Sequence, residues 1–315
     1  MNKIILGSTG IEVTELCFGA LPMGPLQKNM PYEKSAQVVA EALRLGVTFI
    51  DTAQGYRTYD PIRIAMKQTG IRPVIATKCA ASTYEDMEKA ILEACEKLDA
   101  DVIDIFHLHA ARAEANIFEV RKGALECLLD YKKKGILKAV GISTHVVQCV
   151  WEAAENPDID IVFPIINKTG MGILGGTRED MENAIKECFA RNKGVYLMKL
   201  LAGGNLIDDY ISSMDYGRNF AAGKAAISLG MVSTEEVRMN VKYFDGDDIS
   251  EQAKKLSKSD KKFHILSVIC KQCGECAKAC HSGAIHESPP VIDDGKCLRC
   301  GYCVDACPQF AIRMI

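Results

Sequence analysis

The sequence predicts an α/β protein: a (β/α)8 TIM barrel entered through a β-hairpin and followed by a small cysteine-rich α+β domain. Three observations carry this expectation. Eight short apolar runs alternate with amphipathic stretches between Cys17 and Phe244. The stretch Asp245–Lys262 is charged and poor in large apolar residues. Beyond it, eight cysteines crowd into the segment Cys270–Cys307. The expected divisions are residues 1–245 for the barrel, 246–264 for a linker and 265–315 for the cysteine domain.

Asn2–Leu6 and Ile11–Val13 flank Ser8-Thr9-Gly10 and read as the hairpin. The apolar runs are Cys17–Ala20, Val47–Ile50, Val74–Thr77, Val102–Leu108, Ala139–Ile142, Ile159–Ile165, Val195–Leu200 and Ala225–Leu229. Each is short and continuously apolar, as suits a parallel strand buried on both faces. Helical patterns lie at Tyr32–Leu45, Thr83–Leu98, Asn116–Lys134, Val146–Glu155, Glu179–Asn192 and Thr234–Tyr243, with a weaker one at Asp208–Phe220. Gly46 stops the first, and Ser82 is placed to cap the second. Eight strand–helix units in this length match a closed barrel. An open doubly wound sheet is the alternative, but no G-x-G-x-x-G follows the first strand.

The 315 residues carry a formal net charge of −3, with no basic excess to meet a nucleic acid. No apolar stretch approaches the ~20 residues of a membrane span, and Met1-Asn2-Lys3 leads straight into an alternating run rather than a signal peptide. The expectation is a soluble cytoplasmic protein without nucleic-acid or membrane partners. Cys17, Cys79, Cys95, Cys127, Cys149 and Cys188 are scattered singly and read as small buried side chains.

The clustered eight form two runs, Cys270-x2-Cys273-x2-Cys276-x3-Cys280 and Cys297-x2-Cys300-x2-Cys303-x3-Cys307-Pro308. Three closely spaced thiolates can reach three corners of an iron–sulfur cubane, and the fourth ligand comes from elsewhere. In two-cluster ferredoxins it comes from the opposite run. The expected sets are Cys270, Cys273, Cys276 and Cys307 for one [4Fe-4S] cluster, and Cys297, Cys300, Cys303 and Cys280 for the other. Structural zinc uses two separated pairs instead. Gly274, Gly283, Gly295 and Gly301 allow tight turns, and Ala284-Ile285 and Ala311-Ile312 follow the two runs equivalently. His281 stands where the first run would often have proline.

Catalytic groups of such barrels sit at the C-terminal ends of strands. Asp51, Lys78, His109 and Ser143 hold those positions, with Tyr56 in the loop after Asp51. Over roughly residues 3 to 243 the sequence resembles the aldo-keto reductases. The likeness rests on Asp51-Thr52-Ala53-x-x-Tyr56, Ala76-Thr77-Lys78, Asp104 through His109, Gly141-Ile142-Ser143 and Leu201-Ala202-Gly203-Gly204. With its tail the chain is similar to the subgroup bearing a C-terminal ferredoxin domain.

The resemblance implies that Tyr56 protonates a carbonyl oxygen and that Lys78 lowers the tyrosine pKa. It also implies that Asp51 holds the lysine and that His109 orients the carbonyl. It places NADP(H) or NAD(H) contacts at Gly19, Ser143, Met198, Lys199, Ser233 and Asn240. The family's Ser-Asn after strand five is here Ser143-Thr144-His145, its strand-six glutamine is missing, and Met198-Lys199 replaces its stacking aromatic. Arg57-Thr58-Tyr59 replaces the glycine that usually follows the catalytic tyrosine.

The function so implied is reduction of a small carbonyl compound, or oxidation of an alcohol, with the clusters serving electron transfer or docking of a redox protein. Two other readings stand beside it: a cluster-fed one-electron reductase of an unusual acceptor, and an electron carrier with a degenerate barrel. Such clusters are oxygen-sensitive, so an anaerobic bacterium or archaeon is the expected setting.

Overall fold

The computed structural model describes residues 1–113, 116–256, 261–286 and 288–314; residues 257–260 of the expected linker fall outside them. The chain begins with the hairpin β1 (Lys3–Ile5) and β2 (Glu12–Thr14), paired antiparallel with Ile4 opposite Val13. Eight parallel strands then close into a barrel: β3 (Leu16–Gly19), β4 (Phe49–Asp51), β5 (Val74–Cys79), β6 (Ile103–Ala110), β7 (Leu137–Thr144), β8 (Ile161–Pro164), β9 (Gly194–Met198) and β10 (Ala225–Gly230). Each overlaps one of the eight apolar runs. The strands are almost wholly buried, because their inward side chains fill the barrel and their outward ones meet helices.

The outer layer holds α1 (Tyr32–Arg44), α2 (Tyr59–Thr69), α3 (Tyr84–Leu98), α4 (Ile117–Val120), α5 (Lys122–Lys133), α6 (Val147–Glu155), α7 (Arg178–Ala190), α8 (Tyr210–Ala221) and α9 (Thr234–Asp245). Three details differ from the sequence expectation. Helix α2 fills the unit for which no helix was expected; Tyr59, Ile62 and Ala65 face inward, and Gly70 at φ 69° ends it. The cap of α3 is Thr83 rather than Ser82, its side chain accepting from the Asp86 amide. The pattern 116–134 is two helices, broken at Arg121 by non-helical backbone angles. Of the six scattered cysteines, five are buried and Cys95 is half-buried.

After α9 comes one further turn, α10 (Ser250–Ala253). The cysteine domain is closed by β11 (Phe263–Ile265) pairing antiparallel with β12 (Ile312–Met314), so its two ends form one sheet. Between them lie α11 (Glu275–Lys278) and α12 (Tyr302–Asp305), one within each cysteine run. This domain seats on the loops at the C-terminal end of the barrel. A β-carbon at Gly172, after β8, would come within 2.3 Å of the Phe310 ring, and one at Gly203, after β9, within 2.6 Å of Arg313 Cδ. Both glycines have positive φ, and their missing side chains let the tail lie flat on the barrel. Arg112, in the loop after β6, also donates to the Gln309 amide oxygen.

Candidate active site and cysteine centre

Strand register sets the catalytic layer. Gly19 pairs with Asp51, Lys78 with His107, and His109 with Ser143. Asp51, Lys78 and His109 therefore arrive together at the barrel mouth from β4, β5 and β6. The Lys78 ammonium, 1% exposed, donates to both Asp51 carboxylate oxygens at 2.7 Å and to the Thr52 carbonyl at 2.8 Å. Burial alone would push Asp51 up and Lys78 down, and each partner pulls the other back.

Tyr56 follows in a 3-10 turn, Gln54–Tyr56, that ends on Arg57 in left-handed backbone. Its ring lies 5.0 Å from Lys78 Nζ and 6.0 Å, edge-on, from the His109 ring. The three ammonium protons of Lys78 are all directed at Asp51 and Thr52, so lysine meets the tyrosine through its ring rather than its hydroxyl. Burial and the Asp51 charge raise the Tyr56 pKa, and the cation opposing them is Arg313. That differs from the expectation that Lys78 lowers it. Burial and the charges of Lys78, Arg121 and Lys199 drive His109 down to about 3, so its imidazole is neutral.

A second chain of bonds lies beneath, and the sequence did not single it out. The Tyr196 hydroxyl donates to Asp51 Oδ1 at 3.0 Å, and His107 Nε2 lies 2.7 Å from the same hydroxyl. Tyrosine has one proton to give, so His107 carries its own on Nε2 and donates it to Tyr196. His107 Nδ1 has no partner among the described residues and packs against Gly141. Burial, then Lys78, hold His107 neutral. Tyr196 reads in sequence as an ordinary core aromatic; only the closed barrel brings it beside Asp51.

A cleft of about 1220 Å³, counted to its open mouth, runs from Asp51 and Tyr56 past Phe163, Met198 and Lys199 to Asn240. Of the residues expected to contact a nucleotide, Gly19, Met198, Lys199 and Asn240 line it. Ser143 is buried at the end of β7 and is not among the lining residues. Neither is Ser233, which caps α9 by accepting from the Glu236 amide. Asn240 is spent internally: it accepts from the Tyr210 hydroxyl and donates to the Glu236 carbonyl. The Glu236 carboxylate accepts from the Val232 amide at 2.8 Å and pairs with Lys261, just before β11, at 3.4 Å.

The cleft thus fits a nicotinamide at the Tyr56 end, between apolar walls of Phe163 and Met198. It does not fit a 2′-phosphate at α9. That helix start holds a carboxylate, and Arg238 is tied to Glu41 at 2.7 Å.

In the tail, Cys270, Cys273, Cys276 and Cys307 line one cavity of about 320 Å³. Burial and the thiols of Cys307 and Cys270 raise the Cys276 pKa. Burial and the thiols of Cys297, Cys280, Cys300 and Cys276 push Cys303 up to about 12. Such crowding is relieved by a cationic centre, which suits iron. Backbone amides of Gln272, Ala284 and Ala311 donate to the sulfurs of Cys270, Cys280 and Cys307 at 3.2–3.4 Å. Among the described residues no three ligand side chains converge on a single-ion site, whereas thiols spread around a cavity suit a cubane. The two runs also share one backbone pattern. Gln272 and Arg299 are left-handed at φ 53° and 54°, and Gly274 and Gly301 at 78° and 89° cap α11 and α12.

Comparison with known proteins agrees with this geometry. The model of the aldo/keto reductase family matches residues 15–222, and that of the 4Fe-4S binding domain matches residues 290–313. L-galactose dehydrogenase of Arabidopsis thaliana is 24% identical over 296 residues, 73% of this chain and 92% of that protein. Methylglyoxal reductase DkgA of Escherichia coli (strain K12) is 23% identical over 188 residues, 56% of this chain and 66% of that protein. In fold, the holo form of aldo-keto reductase AKR11C1 from Bacillus halodurans superposes with a TM-score of 0.64 at 18% identity, covering 81% of this chain and 94% of that one. No helix among the described residues is long and apolar enough to cross a membrane. The chain is an oxidoreductase that belongs to the aldo/keto reductase family and carries a 4Fe-4S binding domain behind its barrel.

Proposed function

We propose that the protein reduces a carbonyl compound, or oxidises the corresponding alcohol, with a nicotinamide dinucleotide in the cleft and two [4Fe-4S] clusters in the tail. One observation carries the reading: Tyr56 stands between the Lys78–Asp51 ion pair and a neutral His109 at the head of a cleft. When bound, the nicotinamide supplies or accepts the hydride.

The residues handle the proton. Burial and Asp51 keep Tyr56 protonated at rest, so it holds the proton that a reduced carbonyl oxygen needs. As that proton leaves, negative charge develops on the phenol. The Lys78 ammonium, held in place by its three acceptors 5.0 Å from the ring, stabilises that charge through space rather than by a hydrogen bond. Neutral His109 can donate a hydrogen bond to the carbonyl oxygen without competing as an acid. The carboxylate at the start of α9 favours NAD(H) over NADP(H).

Cys270, Cys273, Cys276 and Cys307 would hold one cluster, and Cys297, Cys300, Cys303 and Cys280 the other. Residues 1–245, 246–264 and 265–315 are the corresponding barrel, linker and cluster unit. Such clusters would exchange single electrons with a redox protein, whose approach is open at the exposed Cys300 beside Leu298 (74% exposed). They also suit an oxygen-poor cytoplasm.

The test is NADH-dependent reduction of a panel of aldehydes and ketones by the iron-loaded protein, with Tyr56→Phe as its control. Turnover that survives Tyr56→Phe unchanged removes the proposed acid. One feature favours a second reading, in which the clusters feed electrons to the cleft: Met314 of the tail and Lys261, just before β11, line its wall. Reduced clusters that stay reduced when substrates are added, followed by their visible absorbance, exclude it.

A further inference from the structure

Arg313 is the most deeply buried cation of the tail, at 2% exposure. Its Nη1 donates to the carbonyls of Phe310 and Ile312, and its guanidinium lies 3.9 Å over the Phe310 ring. Nothing accepts from its Nε among the described residues, and no carboxylate pairs with it there. A buried arginine without an anion is costly, and such a group persists where a ligand completes it.

Its surroundings say where that ligand enters. The place a β-carbon of residue 203 would take is 3.1 Å from Nε, and Gly203 lines the cleft. Lys199, four residues earlier, lines the same cleft at φ 67° with no carboxylate pairing among the described residues. The Arg313 charge is felt by Tyr56, Lys199 and His145, all at the mouth of the barrel. Asp51, the carboxylate at that mouth, is already held by Lys78. Arg313 therefore acts on the tyrosine with no carboxylate of its own among the described residues, the Cys307 sulfur being the group that most favours its charge, and Lys199 lines the cleft beside them.

We propose that Arg313, assisted by Lys199, anchors the carboxylate of a substrate that is both a carbonyl compound and an acid, so that the cluster domain supplies the specificity of the barrel. This rests on the reductase reading above. The carboxylate is a spectator: it is bound at the tail while the carbonyl, a few bonds away, faces Tyr56 and His109. A guanidinium suits it because its planar fork meets a carboxylate with paired hydrogen bonds.

The test uses the iron-loaded full chain and a matched pair, 4-carboxybenzaldehyde against benzaldehyde. Wild type is expected to favour the acid by at least roughly tenfold in kcat/KM, chiefly through KM. Arg313→Met erases the preference, the acid losing far more than benzaldehyde, and Arg313→Lys restores part of it. A parallel titration with benzoate, followed by calorimetry, reads the site without turnover and weakens by roughly 10- to 100-fold in Arg313→Met. Iron content and unfolding midpoint show that each variant is intact. If Arg313→Met fails to fold, the wild-type preference and the benzoate affinity of Arg313→Lys decide the matter.

Equal use of both aldehydes by wild type, or benzoate affinity untouched by either variant, overturns the inference. So does a variant that shifts the midpoint potential of the clusters and leaves selectivity alone, because the arginine then serves Cys307. If neither aldehyde is reduced, the reductase reading falls, while the benzoate titration still judges the anion site.

Discussion

Arg313, in the last described strand, lies against Gly203 in the turn after the seventh barrel strand, and its neighbour Met314 lines the candidate active-site cleft, so the cysteine domain forms part of the cleft wall. The two are 110 residues apart in sequence (313 minus 203). Gly203 combines a left-handed φ of 66° with a close approach, which leaves no room for a side chain.

Gly203→Ala is therefore expected to loosen the tail. The added carbon meets Arg313 Cδ at 2.6 Å and strains the backbone, a cost of about 1–3 kcal/mol. Limited proteolysis within residues 246–264 should accelerate. A cleavage rate equal to that of wild type would show that the tail does not depend on this contact.

Lys78→Met leaves Asp51 buried without its cation and should cost about 3–5 kcal/mol in denaturant unfolding. Adding Asp51→Asn should recover part of the loss, because the stranded charge is then removed. A double variant no better than the single one would mean that the pair is not coupled.

Tyr196→Phe keeps the ring stacked on Phe163 at 3.8 Å but removes the acceptor for His107 Nε2 and one donor to Asp51. The expected loss is about 1–3 kcal/mol, with reduced turnover as Asp51 relaxes. Unfolding midpoint and kcat, measured together, check it.

Burial, Arg313 and Lys78 lower Lys199 to about 7. An unfolded lysine keeps its proton to about 10.4, so between those values the unfolded state binds more protons and stability rises with pH. Lys199→Met should flatten that rise across pH 7 to 10. His109, at about 3, stays neutral throughout and contributes no change there. Unfolding midpoints at three pH values, wild type against variant, test the sign.

The crossing of ligands between the cysteine runs predicts a pattern in iron content. Cys280→Ser with Cys297→Ser removes two ligands of one cluster and should keep about half the iron. Cys280→Ser with Cys270→Ser should lose nearly all of it. The reverse result would assign each run its own cluster.

Much of this was legible in the sequence. The eight apolar runs are the eight barrel strands because a strand buried on both faces must be continuously apolar. The candidate catalytic positions are local to strand ends, so Asp51 and Lys78 could be chosen from their places along the chain, and His109 from the family resemblance. The hairpin around Ser8-Thr9-Gly10 was equally local. Helix α2 was less visible, its buried residues being only Tyr59, Pro61, Ile62 and Ala65 within a polar segment.

The sequence by itself determined the barrel, the candidate catalytic layer and the two cysteine runs, since each is encoded by neighbouring residues with a fixed period or spacing. Tertiary structure alone decided the company these groups keep. It joined Tyr196 to Asp51 and laid Arg313 beside Gly203. Those contacts link residues far apart in the chain. Their geometry is set by barrel closure and by the seat of the tail, which no local pattern of side chains records.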